Sequence, residues 1–273
     1  MTAQNDRWLV ITDLDGTMLN HHDYSMAAAA EAAHVCTRHG IPVILNTSKT
    51  YAETSAIRDA LGLDAPFIVE NGSAIYLPEG SFGHVTDARR DGLVELVTGL
   101  PVNAISDVLD SIDTGPENYI RFSRCSVEEA VELTGLTAEQ AAVAIRREFS
   151  EPVIWSGDEA RLQAFKQELG EAGLSTLQGG RFLHVIGDCD KGIASKELAR
   201  LYGEQTRLAV LGDSPNDAAM LGIADQAMIV NSPSSSKLAA MVDADYLTER
   251  EAPEGWAEAI SYLLERTDIN EDA

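Results

Sequence analysis

Short apolar runs alternate with longer amphipathic stretches through the first third of the chain. Trp8-Leu9-Val10-Ile11-Thr12 has strand composition, and an Ala-rich stretch at about 25–39 has helical spacing and stops at Gly40. Residues 41–45, Ile-Pro-Val-Ile-Leu, predict a second buried strand. A helix follows at about 50–61, stopped by Gly62, and Phe67-Ile68-Val69 predicts a third strand. Strand–helix–strand–helix–strand implies parallel pairing with right-handed crossovers. The same grammar returns late: a helix at about 191–202, a strand at 208–211, a short helix near Asp217 and a strand at 227–230. The expectation is an α/β fold built on a doubly wound parallel sheet.

The middle of the chain breaks this rhythm. Ser126-x-x-Glu129 and Thr137-x-x-Gln140 carry capping-box spacing, each predicting a helix start. Strand-like pieces surround them at 119–122, 152–155 and 181–186. Strands interleaved with paired helices predict an α+β insert at residues 82–187, leaving 1–81 and 188–273 as the core. Pro253-Glu254-Gly255-Trp256 predicts the start of a last helix that packs Trp256 inward, and the acidic tail at 268–273 is expected to fray.

Charge narrows the partners. The 273 residues hold 20 Lys+Arg against 44 Asp+Glu, a formal charge of −24, which leaves no cationic surface for nucleic acid. Cys36, Cys125 and Cys189 are too few and too scattered for a disulfide framework, with no CxxC pair. The polar start lacks a signal-peptide pattern, and no window approaches the ~20 apolar residues of a membrane span. A cytoplasmic protein binding neither membrane nor nucleic acid is expected.

Candidate chemistry gathers at strand ends, where open α/β sheets bind ligands. Asp13-Leu14-Asp15-Gly16-Thr17 follows the first strand, and its alternate residues bring two carboxylates to one side. A turn explains Asp and Gly equally well by itself; an EF-hand loop does not, because Thr17 and Met18 stand where ligand and glycine are required. Gly212-Asp213-Ser214-Pro215-Asn216-Asp217 follows a later strand and adds oxygen side chains at the same edge. Thr47 ends the second strand, with Lys49 two residues on. Lys191 opens a predicted helix, where the dipole disfavours a cation unless an anion is near. The chain has five lysines, so two of them at such positions point to a site. No GxGxxG, no Walker loop and no GxSxG elbow is present, which leaves phosphoryl transfer through a carboxylate nucleophile.

Asp13-x-Asp15-Gly16-Thr17, Thr47, Lys191 and Gly212-Asp213-x-x-Asn216-Asp217 follow the order of the four motifs of the haloacid dehalogenase-like phosphatases, which the chain resembles over nearly its whole length. More narrowly it resembles the mannosyl-3-phosphoglycerate phosphatases, through Asn46-Thr47-Ser48-Lys49-Thr50, Pro66-Phe67-Ile68-Val69-Glu70-Asn71-Gly72, Gly179-Gly180-Arg181-Phe182 and Pro253-Glu254-Gly255-Trp256. The resemblance implies a Rossmann-like core with an inserted C2-type cap between the second and third motifs. It implies Asp13 as nucleophile, Asp15 as general acid/base, and Thr47 and Lys191 on phosphoryl oxygens. Mg²⁺ would sit on Asp13, the Asp15 carbonyl and Asp213, oriented by Asn216 and Asp217.

The implied substrate is a small phosphorylated sugar-glycerate. Its carboxylate calls for extra donors, for which Lys49, Asn71 and Arg181 are candidates, with Arg121 and Arg124 also in the insert. Glucosyl-3-phosphoglycerate, sucrose phosphate and other sugar phosphates stay open, as do a phosphate-accepting signalling module and a sugar-phosphate sensor. Cys189 is expected to be a buried thiol and His184 a packed or solvent-facing strand residue, each without a catalytic role.

Overall fold

The computed structural model describes residues 7–83, 89–112 and 116–266. The acidic tail at 268–273 lies outside them. In chain order the elements are β1 (Arg7–Thr12), α1 (Ala27–Arg38), β2 (Val43–Asn46), α2 (Tyr51–Ala60), β3 (Phe67–Val69), β4 (Ala74–Pro78), β5 (Arg89–Arg90), β6 (Leu93–Val97) and α3 (Val102–Ser111). Then come β7 (Tyr119–Arg121), α4 (Val127–Thr134), α5 (Ala138–Ala144), β8 (Ser150–Trp155), α6 (Glu159–Glu171), β9 (Ser175–Gly179) and β10 (Phe182–Ile186). The chain closes with α7 (Lys191–Tyr202), β11 (Thr206–Gly212), α8 (Ala218–Leu221), β12 (Gln226–Asn231), α9 (Ser235–Ala239), β13 (Tyr246–Glu251) and α10 (Glu254–Arg266).

Among these elements nine strands form one sheet in the order β13-β12-β11-β1-β2-β3-β4-β6-β5, parallel from β13 through β3 and antiparallel beyond. The uninterrupted apolar runs have a direct cause: helices cover both faces of the parallel strands, so successive side chains are buried on opposite sides. Val10, Leu45, Val69 and Leu211 pack on one face with Ala29, Cys36 and Trp256; Leu9, Ile44, Ile68 and Val210 pack on the other with Leu198, Met220 and Leu238.

A second, antiparallel sheet runs β7-β8-β10-β9. Its Val153, Leu183 and Val185 pack against Ile105 and Leu109 of α3 and Phe165 and Leu169 of α6, forming a separate core. Both expected capping boxes are made, with Ser126 accepting from the Glu129 amide and Thr137 from the Gln140 amide. The expected start of the insert at residue 82 differs from the strand pairing. β5 and β6 bond into the large sheet through β4, so the chain leaves that sheet only after Val97. A hydrophobic–polar pattern cannot reveal this, since an antiparallel hairpin at a sheet edge looks alike in either unit.

Two short linkers join the units and run together. Ser73 holds the first through its carbonyl, which accepts from the amides of Thr98 and Gly99, and touches the second through Oγ, 3.3 Å from Cys189 Sγ. A Cβ on Gly187 would lie 2.9 Å from the Leu100 nitrogen, so the linkers are in contact.

A candidate active site at the strand ends

β1, β2, β3 and β11 end side by side, and the residues just past them converge. Asp13 follows β1 and its amide donates to the Leu211 carbonyl of β11, which ties the two acidic turns together. Lys191, the first residue of α7, is wholly buried and donates from Nζ to Asp13 Oδ1 at 2.6 Å and to Asp217 Oδ1 at 2.8 Å. Two carboxylates therefore offset the unfavourable position of a lysine at a helix start. Asp190 caps the helix by accepting from the Ile193 amide.

Asp217 closes the other side. Its Oδ2 accepts from the amides of Asp213 and Ser214, at 3.0 and 3.2 Å, which fixes the turn that carries Asp213. Asp213 Oδ1 accepts from the Thr17 hydroxyl at 3.1 Å, and its carbonyl accepts from Ser232 Oγ. Asn216 accepts from the Ser214 hydroxyl at the rim.

The electrostatics follow from the count. Carboxylate oxygens of Asp13, Asp213 and Asp217 lie within 4.8 Å of one another, all three residues buried. Burial lifts Asp13 from 3.8 to about 7, held back by Lys191 and pushed further by Asp217. Burial likewise lifts Asp213 to about 8, with Asp217 and Asp13 adding to it. For Lys191 burial acts downward, but Asp13 and Asp217 outweigh it and raise the ammonium above its ordinary value. Three buried acids against one bonded cation form an oxygen-rich, electron-rich pocket. That donor set fits a hard divalent cation such as Mg²⁺.

Other expected site residues lie around this cluster. Asp15 is half-buried, with Oδ2 paired to Lys49 Nζ at 2.8 Å and Oδ1 buried without a partner. Lys49 also lies 5.2 Å from the Tyr24 ring centroid. Thr47 is buried, and its carbonyl accepts from the Asn71 amide. Asn71 adopts a left-handed backbone (φ 61°) and is fully buried, with neither end of its amide hydrogen bonded. Gly72 (φ 94°) admits no side chain, because a Cβ there would sit 2.1 Å from the Asp190 carbonyl oxygen, one residue before Lys191.

The expected arginines are engaged elsewhere. Arg181 is exposed and donates to the Leu133 carbonyl. Arg121 is buried against Asp110, Ser106 and Glu151, and Arg124 donates to Asp110. Cys189 is a buried free thiol raised by its burial. His184 is buried and packed, with Nδ1 unpartnered. Burial, then the charges of Arg147 and Lys191, lowers it to about 3, so it is a neutral ring.

Sequence reasoning gave no role to three residues here. Thr17 orients Asp213, and Glu70 and Arg147 join the site loops to the smaller unit. Glu70 lies in the segment Pro66–Gly72 that carries the family resemblance, beside Asn71; nothing local marks Arg147.

A family model described as haloacid dehalogenase-like hydrolase matches residues 10–114. The chain is 34% identical over 264 residues to the glucosyl-3-phosphoglycerate/mannosyl-3-phosphoglycerate phosphatase of Persephonella marina, covering 94% of this chain and 97% of that one. Its fold is similar to a haloacid dehalogenase-like hydrolase from B. subtilis (TM-score 0.68, 21% identity, 94% of this chain and 99% of that one). A structure reported among phosphatases of the haloalkanoate superfamily, from Bacteroides thetaiotaomicron, aligns with TM-score 0.70 at 16% identity, covering 96% and 97%.

Proposed function

Because the chain belongs to the mannosyl-3-phosphoglycerate phosphatase family of the haloacid dehalogenase-like hydrolases and is a phosphoric monoester hydrolase, we propose that it hydrolyses mannosyl-3-phosphoglycerate to mannosylglycerate and phosphate, a step in compatible-solute synthesis. The observation that carries the chemistry is the buried junction of Asp13, Lys191, Asp217 and Asp213 at the ends of β1 and β11. The double name of the Persephonella marina relative favours the glucosyl ester as a second substrate.

In this reading a carboxylate oxygen of Asp13 attacks phosphorus, and the bond from phosphorus to the glycerate oxygen breaks. Asp15 gives its proton to that departing oxygen, leaving an aspartyl-phosphate on Asp13. Asp15 then takes a proton from water as the water oxygen attacks the same phosphorus, which frees phosphate and restores Asp13. The i, i+2 spacing of the two acids suits the roles, since Asp15 stands beside the attacking group and turns toward Lys49. Lys191 and the Thr47 hydroxyl hold phosphoryl oxygens, and Lys191 offsets the repulsion between Asp13 and a dianion.

Asp13, the Asp15 carbonyl and Asp213 would hold Mg²⁺, which when bound supplies positive charge against the phosphoryl group. Asn216 and Asp217 orient the groups around it, Asp217 through Lys191. Asn71, with its amide unpartnered, supplies hydrogen bonds to the glycerate part together with Lys49, and the smaller unit acts as the specificity cap; Arg181 would join them only by giving up its bond to the Leu133 carbonyl.

The test is phosphate release from mannosyl- and glucosyl-3-phosphoglycerate, with and without Mg²⁺, beside Asp13→Asn. Turnover of a glycerate ester that vanishes in the variant is expected. Full activity in Asp13→Asn would remove the nucleophile; turnover of hexose phosphates alone would remove the substrate.

A further inference from the structure

The loop that carries Thr47 and Lys49 is held by all three of its carbonyls. The Thr47 carbonyl accepts from the Asn71 amide at 2.9 Å, and the Lys49 carbonyl accepts from the Glu70 amide at 3.0 Å. The middle one, Ser48, accepts from Arg147 Nη2. Two of these ties come from the end of β3. The third comes from a residue about a hundred positions away, in the segment that leads from α5 into β8.

That segment is wedged into the large unit. Phe149 is buried within the same apolar cluster as Tyr51, Phe67 and Tyr76. Glu148 Oε1 accepts from Arg90 Nη1 of β5 at 2.6 Å. Its anchor is Glu70, almost fully buried in a left-handed backbone (φ 48°). The Glu70 carboxylate accepts from the amides of Glu148 and Phe149 at 2.9 and 3.1 Å and from Ser150 Oγ at 2.5 Å. Arg147 Nε lies 3.6 Å from the same carboxylate and donates to Ser150 Oγ at 3.0 Å. Both charged side chains are nearly sealed from solvent, 5% and 1% exposed. A buried anion and a buried cation of this kind are costly unless their hydrogen bonds are met. Here the Glu70 carboxylate finds its partners on the 147–150 segment, while Arg147 has partners on both units.

We propose that Glu70 and Arg147 form a latch that transmits docking of the smaller unit to the phosphoryl-binding loop, Arg147 being a positioning residue for Thr47 and Lys49. The latch rests on the reading above that this loop holds phosphoryl oxygens. With Phe149 seated, Glu70 holds the backbone at 148–150, and Arg147 is thereby set to fix the Ser48 carbonyl. Unseated, the loop keeps its two ties to β3 and loses the third. The planar guanidinium can span Ser48, Ser150 and Glu70 together, which a lysine ammonium cannot. The site is therefore fully formed only when the smaller unit is docked, so phosphoryl transfer is coupled to the enclosure of substrate.

The test uses inorganic phosphate as a competitive probe of the phosphoryl site, with kcat/KM read beside it, on the full chain in Mg²⁺. Arg147→Met is expected to weaken phosphate inhibition by about tenfold and lower kcat/KM by at least as much. Combined with Thr47→Val, which removes the hydroxyl at nearly constant volume, the loss should fall well short of the product of the single effects, because both variants disable one loop. Should Arg147→Met fail to fold, Arg147→Lys keeps the charge and is read in the same way. Unchanged phosphate inhibition, or fully multiplicative effects in the double variant, overturns the latch. Thr47→Val without effect on phosphate overturns the phosphoryl-loop reading instead, so the two failures are told apart.

Discussion

Lys191 donates from Nζ to Asp13 Oδ1 at 2.6 Å while its own backbone starts α7, so one residue joins the end of β1 to a helix start nearly 180 positions later. The bond fixes the attacking carboxylate and removes a proton competitor from one of its oxygens. Replacing Lys191 by methionine leaves the volume and takes the charge. The expected result is a fall in kcat of about 10²–10³-fold, with a stability loss of about 3 kcal/mol from the unpaired acids. Steady-state phosphate release on variant shown to be folded by circular dichroism checks this. A kcat within tenfold of the parent would deny the lysine its electrostatic role.

Metal dependence should carry a pH signature. Asp13 and Asp213 sit at about 7 and about 8 in the folded chain, above the 3.8 of an ordinary carboxyl. The metal-free folded state thus binds more protons than the unfolded one between about pH 4 and 8, and its stability falls as pH rises through that window. Mg²⁺ competes with those protons, so its stabilisation grows with pH. At a hundred times its dissociation constant it should add about 2.7 kcal/mol at pH 8, or roughly 5–10 °C in Tm, and clearly less at pH 6. Thermal unfolding with Mg²⁺ and with chelator at both pH values measures it. Equal shifts would show that these carboxylates are not the ligands.

His184 predicts a loss of stability in acid. Its folded value, about 3, lies below the 6.5 of a free imidazole, so the unfolded chain takes up a proton the folded one refuses. Stability is full above about pH 6.5 and drains as pH falls toward 3, by about 2 kcal/mol at pH 5. His184→Gln should lose about that much less than the parent between pH 7 and pH 5. Parallel denaturant midpoints for the two proteins across that range would contradict the assignment.

Gly72→Ala places a methyl 2.1 Å from the Asp190 carbonyl oxygen, in a backbone region with φ 94°. The strand-end turn or the start of α7 must then shift, and Lys191 moves with the latter. A destabilisation of about 2–3 kcal/mol is expected together with a loss of kcat, whereas KM for the substrate changes little. Urea unfolding and kinetics on the same preparation decide it: a variant as active as the parent would mean that α7 can yield without disturbing Lys191.

Much of this was legible in the chain because the signals are local. β3 is Phe67–Val69, as the apolar run predicts, and both capping boxes form where their spacing predicts. Asp13, Thr47 and Asp213 gather because strand ends gather in a parallel sheet, which needs only the order of elements. The edge hairpin of β5 and β6 was hidden, since a two-residue strand acquires its identity from the partner alone. Arg121 and Arg124 looked like free cations in the chain; Asp110 takes up both, a pairing that no spacing announces. The joint role of Glu70 and Arg147 was hidden for the same reason, although Glu70 lies in a recognised segment. Their meaning lies in contacts across some 78 positions, and a glutamate beside an asparagine reads as an ordinary turn.

The two linkers touch at Leu100 and Gly187 and share Ser73, and that closeness has a mechanical consequence. Two chains crossing at one place give a pivot, and any swing of the smaller unit about it would have to release the ties from Glu70 and Ser48 to residues 147–150. Ser73 follows Asn71 and Gly72 directly, so the fulcrum lies next to the catalytic floor. A rotation there would open the far rim by a wide arc while the carboxylates at the strand ends stay in register.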